Sequence, residues 1–246
     1  DLRVYDALQR LQDFSLCRHG SALHIHYQYN QEYLALQGSR VGKPGISNIS
    51  KLRNCAVSDY RLQGILQGMK ALLVTCHPYD RSFTYAIAES AANGLSEVGS
   101  ELSRIDLYSE EFDPVLSGAE LARRYSLEPA VQRYTELIRD SDVYVFVHPD
   151  WWSGPPALLK GWIERVFRPG IAYDWVGEEF EEKRHMPLLS NKRAAVFVTT
   201  DRTEDDPPVA VRAFWKDFCD YSGITLAESR VFTDVRSSSI RQRRGW

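Results

Sequence analysis

The stretch Thr75-Cys76-His77-Pro78-Tyr79-Asp80-Arg81-Ser82-Phe83-Thr84 joins a short apolar run to a segment with helical spacing. A helix start of this kind presents unpaired backbone N–H groups and a partial positive charge. A phosphate suits such a position. Ser82 and Thr84 add hydroxyl donors, and the His77 ring can donate to the same oxygens. The competing reading is that Ser82 only caps the helix and His77 only ends the strand. The loop contains neither G-x-G-x-x-G nor G-x-x-x-x-G-K-[ST], so it is neither a dinucleotide fingerprint nor a P-loop.

A second stretch, His148 to Phe167, carries adjacent tryptophans, Trp151 and Trp152, in a loop bounded by Pro149 and Gly154-Pro155-Pro156. Two exposed indoles are costly, so the pair is expected to line a flat apolar cavity. The tricyclic isoalloxazine of a flavin is flat, needs aromatic walls, and takes backbone hydrogen bonds at its pyrimidine edge. Core packing is the competing reading. Pro155 and Pro156 suit the first positions of the helix that follows.

Other groupings carry less. His24-x-His26 places two imidazoles on one strand face, but no third ligand is recognisable, so no metal is expected. The acidic pairs Glu110-Glu111, Glu178-Glu179 and Asp205-Asp206 sit in polar runs and read as solvated. Arg241, Arg243 and Arg244 are too few to argue for nucleic acid, and the net charge of −3 points the same way. Ser153-Gly154 lacks the G-x-S-x-G of a nucleophile elbow.

The elements that must position the two loops read clearly from Met69 onward. Strands are predicted at Ala71 to Thr75, Glu101 to Leu107, Val143 to Val147, Ala194 to Thr199 and Ile224 to Phe232. Helices are predicted at Ser82 to Val98, Pro129 to Arg139, Pro155 to Phe167 and Pro207 to Tyr221, with a last one near the end. Alternating strands and helices imply βαβ units and a parallel sheet covered on both faces. Five strands fit the flavodoxin-like order 2-1-3-4-5, an α/β fold that binds ligands beyond the carboxyl ends of its strands. Both loops lie at those ends.

Residues 1–68 read differently. Tyr5, Leu8, Leu11 and Phe14 allow a helix, Leu23 to Tyr29 alternates as a strand does, and Gly38 to Gly45 signals a loop. That segment carries 8 Lys+Arg and 5 Asp+Glu, against 22 and 28 in 69–246. The sign change and Met69 suggest an N-terminal extension, 1–68, before the flavodoxin-like domain, 69–246. Apolar residues make up 43% of the 246, enough for a packed core, and no run reaches the ~18 apolar residues of a membrane span. Four cysteines without a C-x-x-C pair fit a reducing cytoplasm.

Pro149, Trp152, Gly154 and Pro156-Ala157-Leu158-Leu159-Lys160-Gly161-Trp162-Ile163-Glu164-Arg165-Val166-Phe167 resemble the signature of the NAD(P)H:quinone oxidoreductase family. His77 with Ser82-Phe83-Thr84-Tyr85 resembles that family's phosphate loop, and Ala172-Tyr173 and Thr199-Thr200 fall where its other flavin contacts lie. The resemblance covers about 69–246 and no part of 1–68. It implies a flavin, FAD or FMN, near a homodimer interface, reduced by NAD(P)H and reoxidised by a small quinone-like acceptor. It further implies that His77, Ser82, Phe83 and Thr84 hold the phosphates. Pro149, Asp150, Trp151, Trp152 and Ser153 frame the ring, and Thr199 and Thr200 meet its polar edge. Tyr173 reaches toward the substrate pocket from the partner subunit, with Trp152 as the other pocket residue. Two glycines often follow the Thr pair in the family, whereas Asp201-Arg202 follow here. The Tyr and His that manage protons in better-studied members have no counterpart. The rival expectations are a regulatory flavoprotein subunit of a membrane transporter and a flavodoxin-type electron carrier.

Overall fold

The computed structural model describes residues 68–177 and 182–245. The helical pattern at Tyr5 to Phe14, the alternation at Leu23 to Tyr29 with His24 and His26, and the acids Glu178 and Glu179 lie outside the described residues.

Five strands form one parallel sheet: β1 (Lys70–Thr75), β2 (Glu101–Asp106), β3 (Val143–Pro149), β6 (Arg193–Thr199) and β7 (Thr225–Phe232). Their order is β2-β1-β3-β6-β7. This is the expected flavodoxin-like arrangement, because the intervening β4 (Tyr173–Val176) and β5 (Arg184–Pro187) form a separate antiparallel pair. The sequence reading missed that hairpin, whose strands are four residues each and too short to show a period.

β3 is central and buried along its whole length, which is why Val143 to Val147 reads as an unbroken apolar run. Successive side chains alternate between two cores. Ala71 and Leu73 face helix α1 (Phe83–Glu97), whose inner surface is Ile87, Ala88, Ala91, Ala92 and Leu95. Leu72 and Val74 face the other side, covered by α3 (Pro129–Asp140), α4 (Ala157–Val166) and α5 (Val209–Ser222). Small alanines let α1 approach closely. The opposite core is aromatic: the Phe146 ring lies 4.6 Å from Trp215 and 6.4 Å from Trp162.

Two short helices complete the fold, α2 (Gly118–Arg123) and α6 (Ile240–Arg243). The sequence reading missed α2. Its Glu120 is buried and takes three hydrogen bonds from the Arg165 guanidinium of α4. Gly161 of α4 is required by close approach, since a Cβ there would meet Pro114 O at 2.3 Å. Helix α4 opens at Ala157, with Pro156 at its cap, two residues later than expected. Pro156 keeps an extended ψ of 148°, so the helix starts after the proline pair rather than on it. Among the described residues no helix is long and apolar enough to cross a membrane.

Candidate functional site

The carboxyl ends of β1, β3 and β6 open into one cavity of about 640 Å³. The loop after β1 contributes His77, Ser82, Phe83 and Thr84 to its lining. The loop after β3 contributes Pro149, Asp150, Trp151, Trp152 and Ser153, and the end of β6 contributes Thr199 and Thr200. Parallel topology makes this possible, because every strand of such a sheet ends on the same side.

At one end of the cavity Ser82 caps α1, accepting a hydrogen bond from Tyr85 N–H at 3.3 Å. Its hydroxyl proton stays free to donate, so the capping and anion-binding roles coexist in one residue. His77 Nδ1 lies 3.0 Å from Tyr79 N and 3.1 Å from Tyr79 O, accepting from the one or donating to the other according to its tautomer. Burial lowers the pKa of this ring below its usual 6.5, against a raising effect from the Tyr79 backbone. A neutral ring with Nδ1 as acceptor carries its proton on Nε2, a donor. Thr84 Oγ1 lies 2.9 Å from Thr199 Oγ1, so the first turn of α1 is tied to the end of β6.

At the other end, residues 151–154 make a tight turn. Trp151 N–H donates to Gly154 O at 3.0 Å, and Gly154 N–H donates back at 3.2 Å. Trp152 and Ser153 sit at φ +57° and +63°. Such left-handed backbone costs about 1–2 kcal/mol per non-glycine residue, the sort of strain that clusters at ligand sites. Trp152 is fully exposed and Trp151 is 40% exposed, so neither belongs to the core. The Trp151 ring lies 6.1 Å from that of His77, which brings the two loops into contact.

The floor is polar. Asp150 N–H donates to Thr199 O at 2.7 Å, and Thr200 Oγ1 donates to Asp150 Oδ2 at 3.1 Å. Asp150 Oδ1 is buried without a hydrogen-bond partner. Four residues absent from the sequence-derived set also line the cavity: Asp201, Arg202, Val235 and Arg236. The sequence reading met Asp201 and Arg202 only as a departure from a pattern. Val235 and Arg236 arrive through tertiary contact, as Val235 N–H donates to Thr200 O and Arg236 N–H to Asp201 Oδ1.

His148 was also missed. It is fully buried, accepts from Trp215 Nε1–H at 2.9 Å through Nε2, and donates from Nδ1 to Pro149 O at 2.8 Å. Burial holds its pKa down at about 4, so the ring is neutral. This bond pair anchors the backbone of the tryptophan loop to α5.

Tyr173 is not brought to this cavity. It lines a second hollow of about 520 Å³ with Phe167, Phe218 and Tyr221, and its ring lies 4.8 Å from that of Tyr221. Among the described residues no group of three or more His, Cys, Asp or Glu could hold a metal ion.

The arrangement can hold an anion at a helix start and a flat ring at a tryptophan-bearing turn. Residues 69–244 match the flavodoxin-like fold family. The chain is 34% identical over 180 residues to an uncharacterized NAD(P)H oxidoreductase of Haemophilus influenzae, covering 68% of this chain and 85% of that protein. It is 32% identical over 154 residues to the NAD(P)H dehydrogenase (quinone) 1 of Cavia porcellus, covering 55% of this chain and 54% of that enzyme, so it spans about half that relative's length. A solved NAD(P)H:quinone oxidoreductase from Methanothermobacter marburgensis superposes with a TM-score of 0.60 at 26% identity, covering 72% of this chain and 89% of that one. The chain therefore belongs to the flavodoxin-like fold family, among the NAD(P)H:quinone oxidoreductases.

Proposed function

We propose that this chain is a flavin-dependent NAD(P)H:quinone oxidoreductase. It would take two electrons as hydride from a nicotinamide nucleotide and pass them to a quinone-like acceptor. The observation that supports this best is the joining of two half-sites in one cavity: the α1 start with Ser82 and the strained turn at Trp152-Ser153.

The residues present fit a flavin, FAD or FMN. Ser82, Thr84 and the His77 ring, with the start of α1 between them, form a donor set for phosphate. Trp151 and Trp152 offer indole faces that no core residue covers, and Thr199 and Thr200 offer polar atoms beside them. Pro149, Asp150 and Ser153 shape the same wall, and Phe83 lies beside the phosphate end. The flavin, when bound, supplies the hydride chemistry, so no side-chain base is needed for that step. The protein's part is to bind, orient and exclude water. His148 holds the ring-facing backbone still through Pro149 O, and the Thr84–Thr199 pair holds the two ends of the site at one spacing.

The homodimer belongs to the same reading. Among the described residues none covers Trp152, and Tyr173 lies at a different hollow with the exposed Trp175 and Tyr221 nearby. A second copy would cover these residues and bring Tyr173 to the substrate side of the flavin; a single-chain mass by sedimentation would overturn that. Among the described residues both cysteines, Cys76 and Cys219, are buried free thiols, which supports a reducing cytoplasm.

The reading as a whole is tested by titrating flavin-stripped protein with FMN and with FAD. Quenching of flavin fluorescence is expected with one or both, and the mass of any co-purified ligand names the native one. Protein that stays colourless and quenches neither flavin is not a flavoenzyme.

A further inference from the structure

Asp150 and Arg202 both line the cavity, and they are placed unequally. The Asp150 side chain is 3% exposed, whereas that of Arg202 is 40% exposed. Arg202 Nε lies 3.9 Å from Asp150 Oδ2, close enough for charge attraction but not for a hydrogen bond. The other carboxylate oxygen has no partner.

The Arg202 guanidinium is held across the cavity mouth. Nη2 donates to Ser153 Oγ at 3.0 Å on the strained turn, and Nη1 donates to Asp206 Oδ2 at 3.1 Å. Its backbone N–H donates to Thr200 Oγ1 at 3.2 Å, the same hydroxyl that donates to Asp150. The remaining charged residues on the lining, Asp201 and Arg236, pair with each other at 3.2 Å and are 53% and 87% exposed, so solvent screens them. A buried carboxylate so close to a cavity needs its cation, because an uncompensated buried charge is far costlier than a paired one.

We propose that the Asp150–Arg202 pair sets the relative affinity of this cavity for oxidised and reduced flavin. The proposal rests on the flavin reading above. Hydride carries two electrons and one proton, so its arrival converts a neutral ring into one bearing a negative charge. A fixed charge beside the ring therefore acts mainly on the reduced form. Asp150 alone repels that form, Arg202 alone attracts it, and the intact pair nearly cancels. The pair joins the loop after β3, which carries Asp150, to the loop after β6, which carries Arg202; neutral small residues there would leave no such field.

The two halves of the pair make opposite predictions, which a packing role does not. The measurement is the ratio of dissociation constants for oxidised and reduced flavin, read from the two-electron midpoint potential of the bound flavin at pH 7. Asp150→Asn leaves Arg202 with only Asp206, 76% exposed and screened by solvent, as its anion, and should favour reduced flavin by up to roughly tenfold, a positive shift of up to about 30 mV for a two-electron couple. Arg202→Gln leaves Asp150 uncompensated and should favour oxidised flavin by about the same factor. The double variant should return to within about threefold of the parent ratio, and Arg202→Lys, which keeps the charge, should stay there too. A common loss of affinity from loosened structure cancels in the ratio. Shifts of the same sign in both single variants, or no shift in either, would overturn the pair's role. A parent protein that binds no flavin would instead remove the flavin reading itself.

Discussion

Thr84 Oγ1 and Thr199 Oγ1 lie 2.9 Å apart with both side chains buried, so one hydrogen bond joins the first turn of α1 to the last residue of β6. It holds the two cavity-lining segments after β1 and at the end of β6 at one spacing. Thr84→Val or Thr199→Val keeps the shape and strands the other hydroxyl. Each should cost about 1–3 kcal/mol in urea unfolding, while the double variant should cost clearly less than the sum. Strict additivity would show that the two hydroxyls do not depend on each other.

Ser82 and Trp152 should separate the two ends of the cofactor. A hydrogen bond to a charged group contributes roughly 1.5–3 kcal/mol, so Ser82→Ala should weaken flavin binding about tenfold to a hundredfold. At saturating flavin that variant should turn over almost normally, because the ring is untouched. Trp152→Ala removes a wall beside the ring and should lower turnover and weaken acceptor binding even when saturated. Identical losses in both variants at saturating flavin would mean that the two loops do not serve opposite ends of one ligand.

His148 should make stability depend on pH. Burial holds its folded pKa at about 4, below the ordinary 6.5. Between those values the unfolded chain binds a proton that the folded chain excludes, so stability rises with pH across that window. It is fully present above about 6.5 and is lost as pH falls toward 4, by about 3 kcal/mol in all. Urea midpoints of the parent should fall steeply from pH 7 to pH 5. His148→Gln keeps an acceptor for Trp215 Nε1–H and a donor for Pro149 O, and should lose that share of the slope. An unchanged slope would assign the pH dependence to other groups.

Residues 1–68 are expected to be dispensable. The β1–β2 pairing begins with Glu101 N–H on Met69 O, and β1 opens at Lys70, so the ladder itself needs no residue before Met69. A chain beginning at Met69 should be soluble and bind flavin with the affinity of the full chain. Insoluble protein, or a tenfold weaker flavin affinity, would show that the leading segment belongs to the domain.

The sheet was legible in the residues alone, because a strand buried on both faces needs an almost unbroken apolar run. Ala71 to Thr75, Val143 to Val147 and Ala194 to Thr199 each supply one. The capped start of α1 was legible for a similar local reason: a capping serine after a strand-ending loop is a sequence signal. Where neighbours in space are far apart in the chain, sequence order carried no such signal. His148 meets Trp215 across 67 residues, Arg202 reaches Ser153 across 49, and Thr84 meets Thr199 across 115. The tryptophan pair shows the division best. Residue type predicted that Trp151 and Trp152 would border a cavity. Only the backbone of the turn, with φ above zero at both Trp152 and Ser153, decided that Trp152 would stand fully exposed at its rim. Local patterns determine elements because they act through backbone geometry a few residues long. The charges and hydrogen bonds of the site are decided by which strand ends the parallel topology brings side by side.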